Sequence, residues 1–178
     1  MIRFDREPTV TEADLPKPLE FRRFHPFLKG VFSQWHPTPF AVDGTSYTCT
    51  EQYMMAAKAS LFGDTTKFAQ IMASDDPALQ KRLGANVAPF DEATWHRWRC
   101  TIVYDANRAK FKRNPGATRQ LLRTAPAMLV EANPRDWNWG NGLAMDDPRN
   151  HDPNAWKGAN LLGRILTKLR DELPATQT

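Results

Sequence analysis

Two cysteines in 178 residues, Cys49 and Cys100, are too few for a disulfide framework and stand at no metal-ligand spacing, which fits a reducing compartment. No apolar run approaches the roughly 20 residues of a membrane span. The opening stretch MIRFDREPTVTEADLPKPLE is polar and carries acids, so it reads as neither a secretory signal nor a transit peptide. An intracellular protein, cytoplasmic or nuclear and without membrane contact, is expected. The four histidines, His25, His36, His96 and His151, form no HExxH and no paired helical spacing, and no metal is expected. A GxSxG nucleophile elbow and a Walker-type phosphate loop are both missing. Acids, one lysine and many indoles remain as working groups. For a hydrolase they point to acid–base catalysis on a planar leaving group, with no cofactor.

What is present organises simply. The length suits one domain, able to bury most of its apolar surface unaided. Residues 1–19, rich in proline and charge, read as a flexible N-terminal arm, residues 20–173 as the folded domain and residues 174–178 as a C-terminal tail. Phe40-Ala41-Val42 and Thr45-Ser46-Tyr47 flank Asp43-Gly44, a hairpin signal. Helices are predicted over 50–62, with Thr50 as N-cap and Gly63 as stop, over 64–72, and from Asp76-Pro77 to Leu83 with Gly84 as stop. A fourth runs from 92 to about 111 behind an Asp91 cap. A helix over 115–122, a strand at 128–132, an irregular stretch at 133–158 and an amphipathic helix over 160–173, stopped by Pro174, complete the chain. The expected fold is α+β, a predominantly α-helical single domain with a few short strands, and a monomer.

The first chemically pointed segment is the helix over 50–62. Glu51, Met54, Met55, Lys58 and Leu61/Phe62 recur at helical spacing on one face. Methionine and aromatic stripes are ordinarily core, yet this one contains an acid and an amine. Either the two charges line a pocket, or they sit at the edges of the stripe and reach solvent. The second is Asp136-Trp137-Asn138-Trp139-Gly140-Asn141-Gly142-Leu143, with two indoles, an acid and two glycines. Glycines admit close approach of a ligand and indoles can stack on a base; the alternative is a tryptophan-pinned loop capped by Asp136. Net charge is +4, but Arg108, Lys110, Lys112, Arg113, Arg119 and Arg123 fall within a stretch free of acids. It either contacts phosphates, with Lys110, Lys112 and Arg113 as the candidate contacts to nucleic acid, or is a solvated face with Lys110 alone turned inward toward the fold.

The order of several motifs resembles the NADAR (YbiA-like) superfamily. It begins with Phe32-Ser33-Gln34-Trp35 and Phe40-x-Val42-Asp43-Gly44-x-x-Tyr47, and continues through Glu51-Gln52-Tyr53-Met54-Met55-x-x-Lys58-Ala59-x-Leu61-Phe62-Gly63-Asp64. Phe90-Asp91-x-x-x-Trp95, Asp136-x-x-Trp139-Gly140-x-Gly142-Leu143 and Trp156-x-Gly158-x-Asn160-Leu161-Leu162-Gly163 follow. The resemblance covers residues 24 to 173. It implies an N-glycosidase acting on ribosylated base amino groups, with functional positions at Glu51, Lys58, Trp95 and Asp136. Further substrate contacts are expected from Ser33, Gln34, Trp35, Trp139, Gly140, Gly142 and Asn160. Trp137-Asn138 and Asn141 depart from the smaller or aliphatic residues of many members, which bears on what the loop accepts.

Breaking a C1′–N bond requires a proton for the departing nitrogen or the ring oxygen while positive charge develops on C1′. In the resemblance's terms Glu51, with its pKa raised by Met54 and Met55, is the acid–base group. Asp136 is the second carboxylate, and Trp95 a stacking wall. Lys58 either neutralises a substrate anion or attacks an opened ribose as a Schiff-base-forming amine. Three functions follow: removal of ADP-ribose from ADP-ribosylated guanine in nucleic acid or nucleoside, hydrolysis of a ribosylamino-pyrimidine phosphate of the riboflavin pathway, and non-catalytic reading of ADP-ribose. Intact Glu51, Lys58 and Asp136 weigh against the reader, and the absence of a fused flavin-pathway domain favours the first.

Overall fold

Helices need faces to bury, and nearly all of this chain's apolar periodicity is helical. The computed structural model describes residues 1–173; the C-terminal tail at 174–178 and the Pro174 helix stop lie outside the described residues. In chain order the elements are β1 (Phe24–Phe27), β2 (Phe40–Val42), β3 (Thr45–Tyr47), α1 (Thr50–Leu61), α2 (Thr65–Met72), α3 (Pro77–Ala85), α4 (Glu92–Arg113), α5 (Pro115–Leu122), β4 (Met128–Glu131) and α6 (Leu161–Glu172). This is the mostly helical α+β class, with short strands. Two compact units interleave in sequence: residues 1–11 with 34–113, and residues 12–33 with the chain from 114 onward.

In the first unit β2 and β3 form the expected antiparallel hairpin, with Phe40 opposite Tyr47. Asp43 and Gly44 turn it with φ of 48° and 78°, the left-handed pair that matches strand twist. α1 packs against α2, α3 and α4, so burial runs around the helix from Thr50 to Ala57 rather than along one stripe. Cys49, not Thr50, is its N-cap, and its side chain makes no cap bond. The start is instead closed by the Gln34 carbonyl, which accepts from Glu51 N (3.0 Å) and Thr50 Oγ1 (3.2 Å). Asp64, Asp76 and Asp91 cap the next three helices by accepting from Lys67 N, Ala78 N and Thr94 N.

Two expectations change here. Gly84 does not stop α3, which runs on to Ala85. A Cβ at Gly84 would overlap Met55 Sδ and lie 3.0 Å from Met55 Cβ, so the glycine serves the close approach of α3 to α1. The N-terminal segment also carries contacts that a loose arm lacks. Val10 is buried and exchanges hydrogen bonds with Thr101 Oγ1 on α4 (2.9 and 2.8 Å). The Phe4 ring packs edge-on to Trp98 at 4.9 Å. Its prolines and charges limit regular structure, but two apolar anchors are enough to dock it.

In the second unit β1 pairs in parallel with β4, Phe24 opposite Met128 through Phe27 opposite Glu131. β4 is buried and α6 covers it with Leu161, Leu162, Ile165, Leu166 and Leu169. Residues 12–16 are held by Arg164, which donates to the Glu12 and Pro16 carbonyls (both 3.1 Å).

Candidate functional site

The first turn of α1 puts Glu51 inside the first unit, 3 % exposed, among buried Met54 and Met55. Gln34 is 6 % exposed, with Nε2 3.3 Å from the Met54 sulfur. Its Oε1 is buried with no hydrogen-bond partner among the described residues. Leaving such an acceptor unmatched costs roughly 1–3 kcal/mol, a cost that a donor on a bound molecule would relieve.

Two turns further, Lys58 is half-buried. Its Nζ lies 4.4 Å from the centroid of the Phe90 ring and 5.4 Å from that of Trp95. Phe90 and Trp95 occupy the positions just before the α4 cap and in the first turn after it, where a hydrophobic staple is built. Here both rings face an amine. Phe90 is backed by the edge of Phe62, with ring centroids 5.1 Å apart. Burial holds the Lys58 pKa below the usual lysine value, while the two ring faces favour the ammonium. An amine with a depressed pKa is available as a nucleophile toward an aldehyde or iminium carbon. Glu51, Gln34, Lys58 and Trp95 are thus drawn into one unit, at and behind α1. Trp35, in the same unit, is partly exposed with Lys81 Nζ 6.0 Å from its ring.

The second unit holds the other expected residues. Asp136 Oδ1 accepts from Asn138 N (3.1 Å) and Trp139 N (2.8 Å), the turn-capping arrangement. A Cβ at Gly140 would fall 2.8 Å from the Asp136 carbonyl oxygen and 2.9 Å from that of Glu131. Gly142 has φ +75°, and a Cβ there would meet Lys157 Cβ at 2.8 Å. Asn160, itself left-handed at φ 50°, accepts from Glu131 N (2.9 Å) and donates to the Leu129 carbonyl (3.0 Å), so its amide continues the β4 edge. The first amides of α6, Leu161 N and Leu162 N, donate to the Asn138 and Trp139 carbonyls (both 3.1 Å). Asn141 donates to Asn150 Oδ1 at 2.7 Å and is buried. Ser33 closes a 3-10 turn by donating its N–H to the Gly30 carbonyl.

The basic run divides. Lys112 and Arg113 are exposed at the end of α4, but Lys110 is 0 % exposed and cannot follow a nucleic-acid strand. The helical period turns it inward with Ala106, Asn107 and Phe111. Burial lowers its pKa to about 7, with a nearby Cys49 acting in the opposite direction. Phe90 is the residue that reading the sequence missed; it lay within a matched motif with no role assigned to it.

The chain is similar to known proteins over most of its length. A NADAR domain is matched over residues 21–174. The chain is 41 % identical over 147 residues to an N-glycosidase of Acanthamoeba polyphaga mimivirus, covering 80 % of this chain and 86 % of that protein. It is 32 % identical over 144 residues to N-glycosidase YbiA of Escherichia coli (strain K12), with 81 % of each covered. The NMR structure of the Escherichia coli protein YbiA matches with a TM-score of 0.70 at 29 % identity, over 85 % of this chain and 84 % of that one. A riboflavin biosynthesis protein of Vibrio vulnificus (strain YJ016) is 28 % identical over 144 residues, spanning 81 % of this chain and 35 % of that protein. Among the described residues, no helix is long and apolar enough to cross a membrane.

Proposed function

The chain belongs to the NADAR family and is an N-glycosidase, and from that premise we propose that it cleaves the bond between ribose C1′ and an exocyclic base amino group, removing ADP-ribose from ADP-ribosylated guanine. The observation that carries this reading is the Lys58 amine, half-buried against the Phe90 and Trp95 rings. A flat base and an electrophilic sugar carbon are what such a pairing suits.

In the proposed reaction the Glu51 carboxyl gives its proton to the ribose ring oxygen, the C1′–O bond breaks, and an iminium forms between C1′ and the base nitrogen. Neutral Lys58 Nζ adds to C1′. A proton passes from Nζ to the base nitrogen by way of the Glu51 carboxylate, and the base leaves as its free amine with the C1′–N electron pair. Lys58 is then joined to C1′ as an iminium. Water adds to C1′, the C1′–Nζ bond breaks, and the sugar recloses as ADP-ribose. The balance is one water consumed, with Glu51 and Lys58 restored. Glu51 and Lys58 lie seven residues apart on one helix, about 10 Å along its axis, and helical side chains lean toward the N-terminus, the direction in which Glu51 lies from Lys58. Gln34 Oε1 accepts from a substrate hydroxyl or amide.

The second reading, hydrolysis of a ribosylamino-pyrimidine phosphate, is favoured by the name of the Vibrio vulnificus relative. The bond broken is of the same kind, so Glu51 and Lys58 keep their roles. Incubation with a guanine-ADP-ribosylated oligonucleotide and, separately, with the pyrimidine compound distinguishes them, with products weighed by mass spectrometry. Free ADP-ribose and restored guanine are expected; turnover of the pyrimidine alone assigns the second reading.

A further inference from the structure

We infer that Phe90 is a positioning residue for Lys58: one face of its ring holds the amine in the free enzyme and gives it up when a flat base takes that face. The inference rests on the reading of Lys58 as the nucleophile. Phe90 is 48 % exposed, an unusual setting for a ring whose neighbour Phe62 supports it edge-on. Its face carries the Lys58 Nζ at 4.4 Å. One ring face cannot hold an ammonium and a stacked base together. A base that stacks on Phe90 therefore displaces Nζ, removes the ring's stabilisation of the charge and favours loss of the proton to water. The sugar attached to that base then meets a neutral amine. Ground-state storage and substrate-triggered release follow from the same contact.

The elements packed against α1 carry charged groups of their own. On its own helix the acid is Glu51, and on α2 the cap Asp64 accepts from Lys67 N and Ala88 N. α3 brings Lys81 and Arg82, and α4 brings Asp91, whose carboxylate accepts from Thr94 N, with Glu92 and His96 paired to each other at 3.7 Å. Burial is the cause of the lowered Lys58 pKa.

The test is an NMR titration of the full chain carrying 13Cε-labelled lysine, with the Lys58 signal assigned by its loss in Lys58→Arg. Phe90→Leu keeps apolar cover but removes the ring quadrupole. It should lower the titration midpoint of Lys58 by about 0.4 to 1.5 pH units, the shift that corresponds to a cation–π contact of the usual strength. Phe90→Tyr should restore it, and the acid limb of kcat/KM, which reports the free enzyme, should move with the midpoint. Guanosine at saturation should lower the midpoint in the wild type and leave Phe90→Leu unmoved. Phe90→Met substitutes if the leucine variant does not fold. An unchanged or raised midpoint in the leucine variant, or no response of the wild type to guanosine, overturns the inference. Absence of a borohydride-trapped adduct would instead remove the Schiff base, and the titration reads the ring contact independently of it.

Discussion

The start of α1 and the loop that leads into α6 contain the densest runs of family motif, and they use their polar side chains in opposite ways. Around α1, Gln34 Oε1 has no hydrogen-bond partner among the described residues and the Lys58 amine rests on ring faces. In the loop, Asp136, Asn141 and Asn160 bond to the backbone or to each other's neighbours within the second unit. A motif residue can therefore recur because a chain cannot turn without it. Asp136, Asn141 and Asn160 serve the scaffold through bonds to their own surroundings, whereas Gln34 Oε1 and the Lys58 amine are left to face something other than the backbone.

Substitutions on α1 should produce the largest effects. Lys58→Arg should abolish turnover, since a guanidinium does not add to C1′, and borohydride during turnover should leave a ribose-derived adduct on wild-type Lys58. An active arginine variant with no adduct would reduce Lys58 to an electrostatic part. Glu51→Gln should keep the fold and lose on the order of 10²–10⁴ in kcat; near-normal turnover would take Glu51 out of the mechanism.

A second lysine sharpens the contrast, because Lys110 is fully buried where Lys58 is half-buried. Its folded pKa is about 7, well below the unfolded value of 10.5. Between those values the unfolded chain binds the extra proton, so stability should rise from pH 7 to pH 10.5 and lose this contribution as pH falls through the same window. Compared with Lys110→Met in urea titrations, the wild type should gain on the order of a few kcal/mol over that range. Equal slopes for both proteins would contradict the burial of a titrating amine.

Asp136 tests the scaffold side. Asp136→Ala removes the acceptor of two backbone amides and should cost about 1 kcal/mol in stability, as a lost cap does, while Asp136→Asn keeps the acceptor oxygen and should recover most of it. If activity falls equally in both while only the alanine variant loses stability, the carboxylate charge acts in catalysis as well. The smallest effect is expected at the exposed end of α4. Neutralising Lys112 and Arg113 together should weaken a modified oligonucleotide and reduce its salt slope by roughly 0.7 per lost phosphate contact. Binding of ADP-ribosyl-guanosine should hardly change. Equal shallow slopes for both ligands would make this end of the helix a solvated face.

Most helix boundaries were legible because their caps are local chemistry: Asp64, Asp76 and Asp91 each bond an amide two or three residues on. The hairpin at Asp43-Gly44 was legible for the same reason. β1 was not, since its partner β4 lies about a hundred residues away and its own letters include Pro26. The inward Lys110 was legible only as the alternative to a phosphate contact, because it stands in a run of basic residues whose helical phase packing settles. Glu51 and Lys58 stood out by their helical spacing on an apolar face; which residue faces the amine depends on the turn that carries Phe90.

Gly84 has one more consequence. Met55 stands between Glu51 and Lys58 on α1, and the absent side chain at Gly84 is what lets its sulfur lie against α3. The rotational phase of α1 is therefore set by a residue remote in sequence that has nothing to contribute but space. Positions 55 and 84 should drift as a pair, a larger residue at one being tolerated only with a smaller one at the other, and a methyl group added at Gly84 alone should turn Glu51 and Lys58 together without touching either.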